Sequence, residues 1–285
     1  MSLPIKKLYL DSRYRRNDSL STSSCKFELK QQIHLPLNCI AYIDDIQIPH
    51  TWYNVSSTSN KLYVRLADII TGGHETRTDT DKIITLDAAN YGLDGLAANL
   101  KSKIDAAFLI IISCTANIRR GTISITAPSG KAIRIFSEEE IASDVPPWMA
   151  HGQNNPDRTN PQSANDMFGI TGTTVYTDHP HAFETKFINL RPVHNIYVTS
   201  PNLGSFDTLG PRGEQNIIKK VPVSSDWGYV VFDSVVSEHD YINVSKGFFK
   251  VIELVLRDSR GNVIDLNNGH WSLSIVFSMM KEKDI

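Results

Sequence analysis

The sequence predicts an all-β protein: a jelly-roll β-sandwich with long loops and one amphipathic covering helix. Three observations carry this. Residues 251–277 alternate at period two, with Ile252, Leu254 and Leu256 set against Glu253 and Arg257, then Trp271, Leu273, Ile275 and Phe277 against Ser272 and Ser274. Strands with one apolar face are half buried and need an opposing layer. Roughly a dozen short extended runs recur along the chain, separated by Gly, Pro and Asn turns and showing no repeat period, which fits a sandwich or jelly roll rather than a propeller or solenoid. Only one stretch has helical spacing, with Leu93, Leu96, Leu100, Ile104 and Phe108 at steps of three and four. A single amphipathic helix amid strands covers a sheet or a barrel end.

Taken in order, residues 1–23 read as an N-terminal arm. Lys6, Lys7, Arg13, Arg15 and Arg16 make it basic, 19–24 is a serine/threonine run, and Tyr9, Leu10 and Tyr14 give it something to pack. It is either a solvated tail or an arm laid on a neighbouring subunit, which makes Tyr9, Arg13, Tyr14 and Arg15 candidate assembly contacts. Residues 24–285 form the jelly-roll domain. Residues 25–29 are a short strand, and 39–48 a longer one with Ile40, Tyr42, Ile46 and Ile48 on one face together with Asp44. An acid in that row implies a bulge or a paired carboxylate. Strands follow at 61–66 and 82–86, and then the helix, with Asn90 or Asp87 placed to cap it. Further strands are expected at 109–118, 122–126 and 132–136, so about 83–136 either forms an inserted subdomain or adds to the main sheets.

Residues 137–178 lack periodicity and carry Pro146, Pro147, Pro156 and Pro161. A loop of that length is usually functional or disordered, and Trp148 and Met149 within it are candidate anchors on a partner. Residues 166–172 look like a packed turn. Strands resume at 183–190, 195–199, 216–223, 228–233 and 241–244. The chain then reaches the terminal pair of strands, with Asn267-Asn-Gly269 as a hairpin-type turn.

With 285 residues the chain can bury a large core. Its 29 basic and 31 acidic side chains balance to a net −2, which argues against a dedicated or sequence-specific nucleic-acid binder. Three cysteines, Cys25, Cys39 and Cys114, lie far apart and match neither a disulfide framework nor zinc spacing. The first residues lack a signal-peptide pattern, and no apolar run reaches the roughly 18 residues of a membrane span.

Chemistry is hard to find. Two histidines two apart with a nearby acid, His179-Pro-His181 and Glu184, resemble part of the first metal motif of the cupins, but Pro180 intervenes and no later glycine–histidine segment completes the ligand set. Asp44 and Asp45 are strand neighbours and point to opposite faces, so they cannot share a ligand site unless the strand breaks. Nucleotide-binding, zincin and nucleophile-elbow motifs are missing. No catalytic, cofactor-binding or metal residues are assigned, and no enzyme activity or cofactor is expected. Two alternatives are kept. One is a jelly-roll carbohydrate-binding or attachment module using Trp148, Trp227 or Tyr229. The other is a cupin-like metal-dependent enzyme.

Several stretches add up to a resemblance. They are Lys7-Leu-Tyr-Leu-Asp-Ser-Arg-Tyr-Arg15 before a serine-rich segment and Lys26-Phe-Glu-Leu29; Ala41-Tyr-Ile-Asp-Asp-Ile-Gln-Ile-Pro-His-Thr-Trp-Tyr-Asn-Val55; Asn60-Lys-Leu-Tyr-Val64; Asn90-Tyr-Gly leading into the helix; Phe168-Gly169; and Leu256-Arg-Asp-Ser-Arg-Gly-Asn-Val-Ile-Asp-Leu266 with His270-Trp-Ser-Leu273. In this order they resemble the minor capsid (penton) proteins of virophages, Polinton/Maverick elements and related eukaryotic DNA viruses. The resemblance spans most of the chain but finds nothing to set against 137–178. It implies a structural virion protein, a homopentamer closing icosahedral five-fold vertices and surrounded by the major capsid protein. It carries no catalytic residues. A host receptor or glycan is a further expected partner.

Overall fold

The computed structural model describes residues 6–36, 38–69, 79–142, 162–203, 208–211, 213, 215–237, 240–244 and 248–279. In chain order the elements are β1 (Lys6–Asp11), a 3-10 turn (Ser12–Tyr14), β2 (Ser24–His34), β3 (Cys39–Pro49), β4 (Lys61–Asp68), β5 (Asp79–Thr85), α1 (Leu93–Phe108), β6 (Ser113–Asn117), β7 (Thr122–Thr126) and β8 (Lys131–Ile135). They continue with α2 (Glu138–Ala142), α3 (Asn165–Phe168), β9 (Thr177–Asp178), β10 (Phe183–Glu184), β11 (Asn195–Thr199), β12 (Ile217–Pro222), β13 (Val230–Asp233), β14 (Ile242–Asn243), β15 (Phe248–Arg257) and β16 (Ser272–Met279). The chain divides into two compact units, Met1–Trp52 with Val193–Ile285, and Tyr53–Pro192. The expected 83–136 stretch lies within the second, whose bounds are wider.

The first unit holds two antiparallel sheets, ordered β1-β16-β3-β13 (with β14 also on β3) and β12-β11-β15-β2. From β1 to β11 and again from β14 to β16 successive strands of this unit switch sheets, while β11 and β12 form a hairpin within one, the pattern of a jelly roll. The core lies between them. Phe27, Ile252, Leu254 and Leu256 of one sheet and Ile46, Ile48, Leu273, Ile275 and Phe277 of the other are all buried in one cluster. The alternation read at 251–277 is therefore correct residue by residue. The terminal hairpin is not: β15 pairs β2 and β16 pairs β3, so the two strands lie in opposite sheets. Asn267 and Asn268 take left-handed conformations, and Thr51 Oγ1 donates to the Leu266 carbonyl at 2.6 Å. A Cβ on Gly269 would lie 2.9 Å from Leu266 O, Pro49 Cγ and Thr51 Oγ1, so only glycine fits this link between the sheets.

In β3 the expected inward row is half wrong. Cys39, Ala41 and Ile43 face the core, then Ile46 and Ile48. Ser274 pairs Asp45 while Ile275 pairs Ile43, so Asp44 is an extra residue, a bulge. One inserted residue exchanges the two faces of everything on one side of it, which is why Ile40 and Tyr42 point out and Ile46 points in.

The expected arm is also corrected. Residues 6–11 form β1, whose Lys6 pairs Phe277 and whose Leu10 is buried. Ser12 and Trp271 exchange two bonds: Ser12 N donates to Trp271 O at 2.9 Å, and Trp271 N to Ser12 Oγ at 2.9 Å. Trp271 Nε1 donates to Thr22 O at 2.6 Å, and Phe27 meets the indole edge-on at 6.2 Å. The serine/threonine run reads as tail by composition, yet Ser21 Oγ accepts from the N–H groups of Ser23 and Ser24. These hydroxyls supply the turn with its own backbone partners.

The second unit has antiparallel sheets ordered β5-β4-β8-β9 and β10-β7-β6. Leu96, Leu100 and Ile104 of α1 are buried with Leu62, Val64, Ile123 and Ile133, as the helical spacing predicts. The N-cap is Gly92 rather than Asn90 or Asp87, and makes no side-chain cap. Asp87 instead accepts from Asn99 and Lys103. Leu109, expected in a strand, adopts φ 55 and ends the helix, so β6 starts only at Ser113. β4 is buried on both faces: beyond the main core, Tyr63 packs with Phe136 and Ile141. The packed turn at 166–172 is real. Phe168 is fully buried, Gly169 takes φ 62, and a Cβ there would meet Lys186 Cβ at 2.8 Å.

Replacing Trp271 removes a large buried ring and strands the Thr22 carbonyl. Trp271→Ala is expected to cost about 3–5 kcal/mol of unfolding free energy in urea titrations. Trp271→Phe keeps most of the volume but loses the donor, and is expected to cost about 1–3 kcal/mol.

Candidate functional site

The densest set of ionisable groups lies on the second unit, on the face of β4 opposite its main core. Period two puts Tyr63 and Arg65 there, and the β4–β5 register sets Arg65 directly opposite Asp81. The guanidinium binds Asp81 through two bonds of 2.5 and 2.6 Å and approaches Asp79 at 3.5 Å. Tyr176 donates to Asp79 at 2.6 Å. Phe136 lies between two cations, 5.0 Å from Arg65 and 4.6 Å from Arg134. Arg134 binds Glu140 at 2.5 Å, and Glu140 also accepts from Ser137 N, Thr174 N and Thr174 Oγ1. Burial works against the Arg65 charge, but the bonds to Asp81 raise its pKa above the ordinary value. Burial likewise opposes the Glu140 charge, and the bonds from Ser137, Thr174 and Arg134 overcome it to hold the carboxyl below its usual 4.5.

Each of these groups is engaged by another protein group, so the cluster works as a staple across β4, β5, β8 and the segment around Thr174. Sequence reading missed it because Arg65 and Asp81 are joined only by strand register.

The histidine motif fails as a metal site. His179 and His181 sit on a turn, not a strand, so period two does not align them. His179 Nδ1 is 2.9 Å from the Ala127 carbonyl, and Glu184 accepts from Thr122 at 3.2 Å. Among the described residues no three His, Cys, Asp or Glu side chains converge to hold a metal. Asp44 and Asp45 are separated as well: Lys7 binds Asp44 at 2.5 Å, while Asp45 accepts from Ser274. Burial pushes the Cys25 thiol up to about 11 and Cys114 to about 12, so neither is a ready nucleophile at neutral pH. Among the described residues no helix is long and apolar enough to cross a membrane.

Surfaces remain. Tyr9 and Tyr14 are 77% and 81% exposed on β1 and the turn after it. Arg13 chelates Asp11 and holds that carboxyl below the ordinary range, and Arg15 bonds the Ser12 carbonyl. A cleft of about 570 Å³ runs along β1, with Tyr9, Asp11, Tyr14, Glu28, Gln47 and Ser272 among its lining. Trp148 and Met149 lie outside the described residues.

The opposite edge of the same sheet holds Trp227 and Tyr229, expected as residues of an attachment surface, beside Val230 and Phe232, which sequence reading did not single out. There Trp227 (47% exposed), Tyr229 (70%), Val230 and Phe232 (55% each) cluster on and beside β13. Their signal was the unbroken apolar run Tyr229-Val-Val-Phe232. Period two buries only one face of such a run, so the other is left unpartnered.

No protein-family model matches the chain, and no curated protein does. Among solved structures it is similar to the mavirus penton protein, with a TM-score of 0.54 and 10% identity over 96% of this chain and 100% of that one. The chain has the fold of that penton protein. At this identity the likeness is one of fold.

Glu140 predicts an acid response. Its folded-state pKa is lowered, so its contribution is present above the unfolded value of 4.5 and is lost as pH falls through the folded one. Thermal melts from pH 7 to 3 are expected to show Glu140→Gln with a lower Tm at neutral pH and a shallower fall below pH 4.5 than the parent.

Proposed function

We propose that this chain is a structural capsid protein, the vertex capsomer that forms a homopentamer at icosahedral five-fold positions and resides in the virion. The observation that carries the reading is the shared fold: the jelly roll with a large second unit between β3 and β11 extends across the whole length of the mavirus penton protein. The physical character of the chain supports it. Its buried ionisable cluster on β4 is engaged by its own side chains, while several exposed aromatic groups, Tyr9, Tyr14, Trp227, Tyr229 and Phe232, lie on or beside the edge strands β1 and β13. A stiff β-sandwich with distinct edges is suited to tiling, because head-to-tail contacts close a ring when the rotation per subunit is right. The major capsid protein is the partner that would surround such a ring.

Light scattering on the purified protein, with class averages of negatively stained particles, tests this. The expected result is a mass five times the 31.9 kDa of one chain, with five-fold averages. A species that stays monomeric at high concentration, alone and with the major capsid protein present, overturns it.

A further inference from the structure

We infer that the contact between neighbouring copies joins the β13 edge of one chain to the β1 edge of the next, so that the sheet β1-β16-β3-β13 continues from copy to copy. The inference rests on the self-assembly reading above and specifies its interface.

Both strands are edges: among the described residues, β1 pairs only β16, and β13 pairs only β3. The free side of each can be read from the register. Ser12 N bonds Trp271 O, so by alternation Leu8 and Leu10 bond inward, and Lys7, Tyr9 and Asp11 turn their N–H and C=O groups to the open side. At the other edge, His50 N bonds Tyr229 O, and Val230 sits opposite Pro49, which has no N–H to give. Val230 and Phe232 therefore present their main-chain groups outward. Proteins normally blunt such an edge with lysine or proline. Residues 226–240 contain no Lys, Arg or Pro, and carry Asp226, Asp233, Glu238 and Asp240.

Charge selects the partner. Residues 6–16 carry Lys6, Lys7, Arg13, Arg15 and Arg16 against Asp11, and the ion pairs that Lys7, Arg13 and Arg16 make within the chain, to Asp44, Asp11 and Asp18, are surface pairs that can exchange for acids of a neighbouring copy. Pairing β13 with β13, or β1 with β1, sets like charges side by side; pairing β13 with β1 sets acids against bases. Direction agrees. β1, β16, β3 and β13 alternate in direction, so β13 runs opposite to β1. Rotation about an axis along the strands keeps each strand's direction, so β13 meets the next copy's β1 antiparallel, the better-bonded arrangement. The surfaces also fit: the cleft along β1, lined by Tyr9 and Tyr14, takes the aromatic side chains around β13. Because the two joined surfaces differ, the contact is heterologous and builds rings rather than dimers.

The test is cross-linking of exposed positions. A chain carrying both Tyr9→Cys and Phe232→Cys, treated with a short bismaleimide, is expected to give a ladder of covalent oligomers ending at the pentamer. The two single variants mixed should give covalent dimers and nothing larger. All variants also carry Cys114→Ser, because Cys114 is only partly buried; each single variant alone should then stay unlinked, as should the Cys114→Ser parent, whose Cys25 and Cys39 are buried. Phe232→Lys, which places a cation against the basic edge, is expected to raise the assembly midpoint concentration at least about tenfold with an unchanged melting temperature. Pentamers by light scattering without a ladder in the double variant would overturn this interface and leave the pentamer standing. Dimers from one single variant alone would overturn it in favour of a two-fold contact. A monomeric parent would overturn both.

Discussion

The first unit depends on how Trp271 is held. Its indole fills the space between the sheets against Phe27, its backbone exchanges two bonds with Ser12, and its ring N–H reaches the Thr22 carbonyl. A buried Trp contributes apolar area only if its N–H finds an acceptor, and here the acceptor comes from a turn that would otherwise be solvent-facing chain. One residue thus fixes three things: the depth of the core, the position of β1, and the path by which residues 12–24 cross from one sheet to the other.

What the sequence made legible follows from this. Alternation is a local property, so the inward rows of β15 and β16 and the buried stripe of α1 could be read directly. Two kinds of fact were out of reach. One is any fact of partnership: that β15 and β16 belong to opposite sheets, or that Arg65 lies across from Asp81. The other is any point where the backbone breaks its own period. The Asp44 bulge exchanges the faces of β3, and the acid that betrayed it was visible while the parity change was not. Composition misled at 1–23, where serine hydroxyls that look solvated are spent on backbone N–H groups. Of the candidate contacts, Tyr9 and Tyr14 are on the surface as their placement required. Trp227 and Tyr229 were legible as surface aromatics, but the exposure of Val230 and Phe232 beside them was not, because exposure cannot be told from burial in a continuous apolar run.

The two units use charge in opposite ways. In the second, Arg65, Asp81, Arg134 and Glu140 are withdrawn from water and satisfied by one another, an arrangement that specifies geometry more than it stabilises. In the first, Lys219 and Asp233 form a largely buried pair, but Lys7, Arg13 and Asp11 lie at the rim, where they are screened by salt and exchangeable for other partners. Buried charge fixes a shape, whereas rim charge selects what that shape meets.

The chain order of the first unit has a consequence for biosynthesis. Among the described residues β1 finds its only sheet neighbour in β16, and β2 its only neighbour in β15, so the earliest strands off the ribosome wait for some of the latest. Tyr53–Pro192 emerges complete in the meantime, with every strand partner inside its own limits. At about 5–20 residues per second the nascent β1 to β3 segment spends many seconds with its ladder unmade. Among the described residues, then, the two sheets of the first unit close only when the last strands of the chain are made, and until that moment β1 and β2 carry unpaired edges.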